Sequence, residues 1–147
     1  YKRQAHYFPD KDAVLAAALE EICVRLTARI ERPARAFAFG FAEALPLTPA
    51  SQKDWRVWLA YWGRAPFSEN LRAIHQQYYL DIETALSEGF LQHSATPRVI
   101  ASAIIAAIDG IGTRATLELG AWPPERQKAL LAALLDPRFA SLEPRPA

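Results

Sequence analysis

The sequence predicts an all-α domain of about six helices, and three observations carry that prediction. Prolines are frequent, 11 in 147 residues, and they fall between patterned stretches rather than within them, as helix terminators do. Within the stretches, apolar residues recur every three or four positions, the spacing of one helix face. No run alternates apolar and polar residues in the manner of a strand.

Each element follows from local chemistry. After Pro9, Asp10 is placed to cap a first helix, in which Val14, Leu15, Leu19, Ile22, Leu26 and Ile30 share a stripe until Pro33 ends or kinks it. Phe37 and Phe41 lie one turn apart in a short second helix that stops by Pro46. Thr48 followed by Pro49 is a start signal for a third helix, which carries "DWRVWLAYWGRA" and closes at Pro66. A longer fourth helix begins near Ser68, with Leu71, His75, Tyr78, Ile82, Ala85 and Gly89 on one side. Thr96 and Pro97 open a fifth helix that runs to Gly120, and a sixth spans Pro124 to Asp136. These elements make one domain over residues 10–139. Residues 1–9 lead into it, and residues 140–147 are expected to be a flexible tail.

Two helices are too apolar to lie on a surface. In the third, Trp55, Trp58, Leu59 and Trp62 form one face while Val57 and Tyr61 lie on another, so protein should surround it. In the fifth, Ile100, Ile104, Ile108, Ile111, Ala115 and Leu119 form one stripe, and Ile105, Ala106, Asp109, Gly112 and Thr116 the other. Two apolar faces, together with Leu130, Leu131 and Leu134 on the sixth helix, exceed what one short chain can cover. A symmetric homodimer built on the last two helices is therefore expected, with Ile104, Ile108, Ile111, Ala115, Leu130, Leu131 and Leu134 in its seam.

The composition narrows the function classes. A net charge of +1 gives no overall basic field for nucleic acid. The lone Cys23 has no internal disulfide partner and reads as a small buried hydrophobe. No stretch is expected to span a membrane, because Asp109 and Arg114 interrupt the longest apolar one, and no signal sequence is seen, so the chain is expected in the cytoplasm. No acidic or Cys/His cluster has metal-ligand spacing, no phosphate loop follows a strand, and nothing supports catalysis; neither a metal nor a cofactor is expected. Arg114 and Glu118, four apart, should pair on the helix surface. With no Met at all, the sequence is expected to be a piece of a longer protein.

The aromatic residues point to binding. Phe37, Phe41, Trp55, Trp58, Tyr61, Trp62, Tyr78 and Tyr79 come from three helices expected to be neighbours, and Trp and Tyr need polar partners when buried. They fit a core, and they also fit the wall of an aromatic ligand pocket, which should offer roughly 300 Å³ or more. His75 fits either a hydrogen-bonded core histidine or a ligand contact. Asp109 fits either a carboxylate satisfied by its neighbours or a polar group projecting into that pocket. Aromatic faces beside one carboxylate would favour a cationic or flat apolar ligand over an anion.

Three segments carry a resemblance. "HYFPDKDAVLAAALEE", with Phe8 and Lys11, resembles the junction that joins the helix-turn-helix to the core in the tetracycline-repressor (TetR) family. "DWRVWLAYWGRA" is similar to the Trp-rich helix of its BetI-like, choline-sensing branch, and "AAIDGIGTRATLE" to the "IDG" helix of the dimerisation bundle. The resemblance implies a TetR-type regulatory domain that dimerises through a four-helix bundle, binds a small effector and represses transcription. It also implies that residues 1–9 are the end of a recognition helix and its junction, most of the DNA-binding domain being absent, and that Lys2, Arg3, Tyr7 and Lys11 approach operator DNA. Gln4 and Ala5 depart from the family, which has an apolar residue and a Tyr at those places. By its residues alone, Lys11 is equally a solvated surface lysine. The alternative is an all-helical carrier or interaction domain with no DNA role.

Overall fold

The computed structural model describes residues 11–30, 37–90 and 94–135. They form six α-helices: α1 Lys11–Ile30, α2 Phe37–Ala42, α3 Pro49–Arg64, α4 Glu69–Phe90, α5 Pro97–Leu117 and α6 Pro124–Leu134. A 3-10 turn, Ala65–Phe67, joins α3 to α4, and no strand occurs among the described residues. The caps expected at Asp10 and Pro33 lie outside them.

The start of α3 shows how sequence sets an element. The Thr48 side chain accepts from the Ser51 backbone N–H at 3.2 Å, and the Ser51 hydroxyl accepts from the Thr48 N–H at 2.9 Å. Two orphan donors are thus satisfied reciprocally, and Pro49 occupies the position where a missing N–H costs nothing. Thr96 takes the corresponding place before α5, but its side chain makes no capping bond. Helix α5 stops at Leu117, earlier than Gly120, because the Ala121 N–H turns back to the Glu118 carbonyl at 3.1 Å. That turn puts Gly120 at φ +80, where a side chain would be strained.

α4 packs most extensively on α5, α1 lies on α3, and α6 covers the end of α5. The core falls into two clusters. One gathers Leu19, Ile22, Trp55, Trp58, Tyr61, Ala65 and Leu71 from α1, α3 and the start of α4. The other gathers Phe41, Leu45, Phe90, Ile104, Ile111, Trp122 and Leu131 toward α6. Ile108 packs against both. α3 and α5 approach closely because Gly112 has no side chain: a Cβ there would lie 2.1 Å from the Trp55 ring. Trp55 is also held by its indole N–H, which donates to the Ala44 carbonyl at 2.8 Å.

Two corrections concern α5 and α6. By length and composition α5 is long and apolar enough to cross a membrane, contrary to the expectation that Asp109 and Arg114 would prevent it. Here it is instead a packed helix of a bundle, touching α3, α4 and α6. The seam residues expected to face a partner also divide. Ile104, Ile111 and Leu131 are at most 3% exposed and belong to the chain's own core, and Ile108 and Ala115 pack against that core. Only Leu130 and Leu134 are exposed.

Candidate functional site

Where the two core clusters meet, packing leaves an apolar cavity of about 140 Å³. Phe41, Trp58, Tyr78 and Asp109 line it as the aromatic pattern suggested, joined by Tyr79, Ile82, Ile105 and Ile108. The rings meet largely edge to face: Trp58 lies 5.4 Å from Tyr78 at 62° and 6.0 Å from Trp62 at 72°. Such arrangements set the positive edge of one ring on the negative face of another. The enclosed space is smaller than the roughly 300 Å³ expected, because the Trp58, Tyr78 and Tyr79 rings fill much of the seam.

Two carboxylates border this cavity, and they differ in kind. Asp54, 8% exposed, has a cation beside it: its Oδ1 lies 2.8 Å from Arg25 Nη2. Asp109 has no ion-pair partner among the described residues; its Oδ2 accepts from the Tyr79 hydroxyl at 2.9 Å. Burial pushes the Asp109 carboxyl up to about 6, and the Tyr79 hydrogen bond offsets that only in part. Burial, then the adjacent Asp109, raises Tyr79 in turn, so it remains a neutral donor.

Beyond Tyr79 and Asp109 lies a more open cleft of about 600 Å³, walled by Trp62, Ala65, Pro66, Arg72, His75 and Gln76. The His75 ring lies 4.3 Å from that of Tyr79, tilted by 33°, and burial lowers its imidazole below the usual histidine range. Trp62 Nε1 and His75 Nδ1 are buried without a hydrogen-bond partner. Tyr61, expected in the pocket, lines neither space. It is 0% exposed, and its hydroxyl donates to the Leu71 carbonyl, which makes it a core residue tying α3 to α4. The Phe37 side chain and residues Lys2, Arg3 and Tyr7 lie outside the described part of the chain. Lys11 is exposed at the first position of α1.

The pattern missed Asp54. Asp54 stands among Gln52, Lys53 and Arg56 in the polar first half of α3, so nothing in the local pattern set it apart. Tyr79, one of the aromatic set, stands four residues after His75 on the side of α4 that faces α5, where it meets Asp109. Other polar features are structural. Arg114 pairs with Glu118 at 2.7 Å as expected, and both Arg114 and Arg126 sit over the Trp122 ring at 4.6 and 4.2 Å. The half-buried Cys23 thiol is raised by burial, which makes it a poor nucleophile. Among the described residues no group of three or more His, Cys, Asp or Glu is placed to hold a metal ion.

Comparison with known proteins places this architecture. A transcriptional regulator from Rhodococcus sp. Rha1, known from its crystal structure, is 26% identical and superposes with a TM-score of 0.79 over 88% of this chain and 73% of that one. No curated protein matches the sequence. Residues 33–140, which include α2 to α6, match the family described as BetI-type transcriptional repressor, C-terminal. With most of its length in that match, the chain belongs to the BetI-type repressors of the TetR family.

Proposed function

We propose that this chain is the effector-binding and dimerisation part of a ligand-responsive repressor, and that its effector is a small cation or flat aromatic molecule held beside Asp109. One observation carries the effector reading: a half-buried carboxylate whose hydrogen-bond partner is a neutral hydroxyl, at the wall of an aromatic cavity. A partly desolvated charge without a counter-ion is costly, and a cation seated against Trp58 and Tyr78 would both neutralise it and meet the negative ring faces. The size supports a compact group, since a cavity of about 150 Å³ accommodates benzene.

Dimerisation is supported by a second stripe on α5. Val99, Ala103, Ala106, Gly110, Thr113 and Leu117 recur at alternating steps of four and three along the helix side away from the core. Val99 and Leu117 are 66% and 68% exposed, and Leu130 and Leu134 continue the apolar surface onto α6. Small residues at this spacing let two helices approach closely, and isologous pairing would make a four-helix bundle from α5 and α6 of two copies. Operator DNA would be read in the cytoplasm by a helix-turn-helix head on the N-terminal side of α1, with residues 1–9 as its junction and Lys11 near the phosphates.

Calorimetric titration with phenyltrimethylammonium at about neutral pH tests the effector reading. The wild type should bind, and Asp109→Asn should bind about tenfold more weakly or worse. Equal binding by both proteins, or none by the wild type, would contradict it.

A further inference from the structure

The open cleft beyond Tyr79 has a polarity that the effector reading leaves unused. Arg72, His75, Gln76 and Tyr79 are spaced as one face of α4, and all four line the cleft. Asp109 stands at the Tyr79 end, and Arg72 lines the cleft two turns of α4 away. Seven helical residues separate Tyr79 from Arg72, a rise of about 10 Å. Arg72 makes no ion pair with a described residue, whereas Arg25, Arg64, Arg98 and Arg114 each make at least one. Between the two ends, Trp62 carries an indole N–H with no acceptor. The inner cavity and the cleft share Tyr79 and Asp109, so one molecule can occupy both.

We propose that the effector is bipolar: a cationic group sits beside Asp109, and an anionic or strongly hydrogen-bond-accepting group about 10 Å away is held by Arg72 at the mouth of the cleft. The inference rests on the cationic-effector reading and adds a second recognition point and a length. Arg72 confers specificity here, because a cation without the distal group gains nothing from it. Turning the Trp62 ring toward the cleft would give its N–H an acceptor on the bound molecule.

The test compares two probes of equal chain length by calorimetry, trimethylammonio-octanoate and octyltrimethylammonium, which differ in the distal carboxylate. The carboxylate form should bind about fivefold more tightly, the size of an ion pair at a water-facing mouth. Arg72→Gln, at an exposed position, should erase that ratio, and raised salt should shrink it. Asp109→Asn should weaken both probes. Equal affinity of the two probes for the wild type, or a ratio that survives Arg72→Gln, overturns the bipolar inference alone. Failure of both probes to bind overturns the cationic-effector reading and this inference with it.

Discussion

At the scale of single residues, Asp109 sets the strongest expectations. Its folded-state carboxyl lies near 6 while the ordinary value is 3.8, so the folded chain holds that proton more tightly than the unfolded one. A raised acid opposes folding once it ionises. Its contribution is therefore least unfavourable below about pH 4, worsens as the pH rises toward about 6, and is constant above that. Asp109→Asn removes this dependence, and its stability relative to wild type should improve across that window by up to about 3 kcal/mol, read from urea unfolding at several pH values. Binding of a cation has the opposite sense, strengthening as the pH rises through about 6. Trp58 is both core and cavity wall, so Trp58→Ala should lose about 3–5 kcal/mol and also bind ligand more weakly. Unchanged affinity in the surviving fold would leave it a core residue alone. Gly112→Ala should cost about 1–3 kcal/mol, since its Cβ would overlap the Trp55 ring, and should alter tryptophan fluorescence.

At the scale of helices, Asp12 in the first turn of α1 accepts from Arg64 at 2.8 Å and is also bonded to Ser68, and both partners hold it below the usual carboxylate range. Arg64 and Ser68 flank the turn whose Ala65 and Pro66 wall the outer cleft. This exposed clamp adds little stability, but it connects the cleft to α1, the helix from which a DNA-reading head would extend in the proposed regulator. Arg64→Ala should leave thermal unfolding nearly unchanged and weaken effector-induced operator release in the intact regulator. The helices themselves were legible in the sequence, because prolines, Thr48 and apolar spacing act locally. Which side of α5 turns inward was not. Ile104 and Ile111 lie on one apolar face and Ala106 and Gly110 on another, and periodicity assigns no direction to either. The larger isoleucines went to the chain's own core, leaving the small residues outside. The aromatic site was legible as a set of rings, but Tyr61 separates from Trp58 and Tyr78 only once α3 and α4 are packed together. Ile108→Glu should accordingly unfold the chain, because Ile108 sits between both core clusters.

At the scale of the whole molecule, a ligand-responsive repressor needs a dimer whose two halves respond to ligand. Ala106 is exposed, so Ala106→Arg should leave the single chain folded while removing the close helix contact. Sedimentation at micromolar concentration should show a dimer for wild type and a monomer for the variant. A wild-type monomer would contradict the bundle. If the effector favours one arrangement of the dimer, it must change the separation of the two α1 starts, where the heads would attach. Lys11 is exposed at that start, and a spin label on Lys11→Cys, in a Cys23→Ala background, reports the distance between the two copies. Double electron–electron resonance with and without saturating phenyltrimethylammonium should show two different Lys11-to-Lys11 distance distributions. The same distribution in both samples, or no dipolar signal at all, would contradict a ligand-responsive dimer.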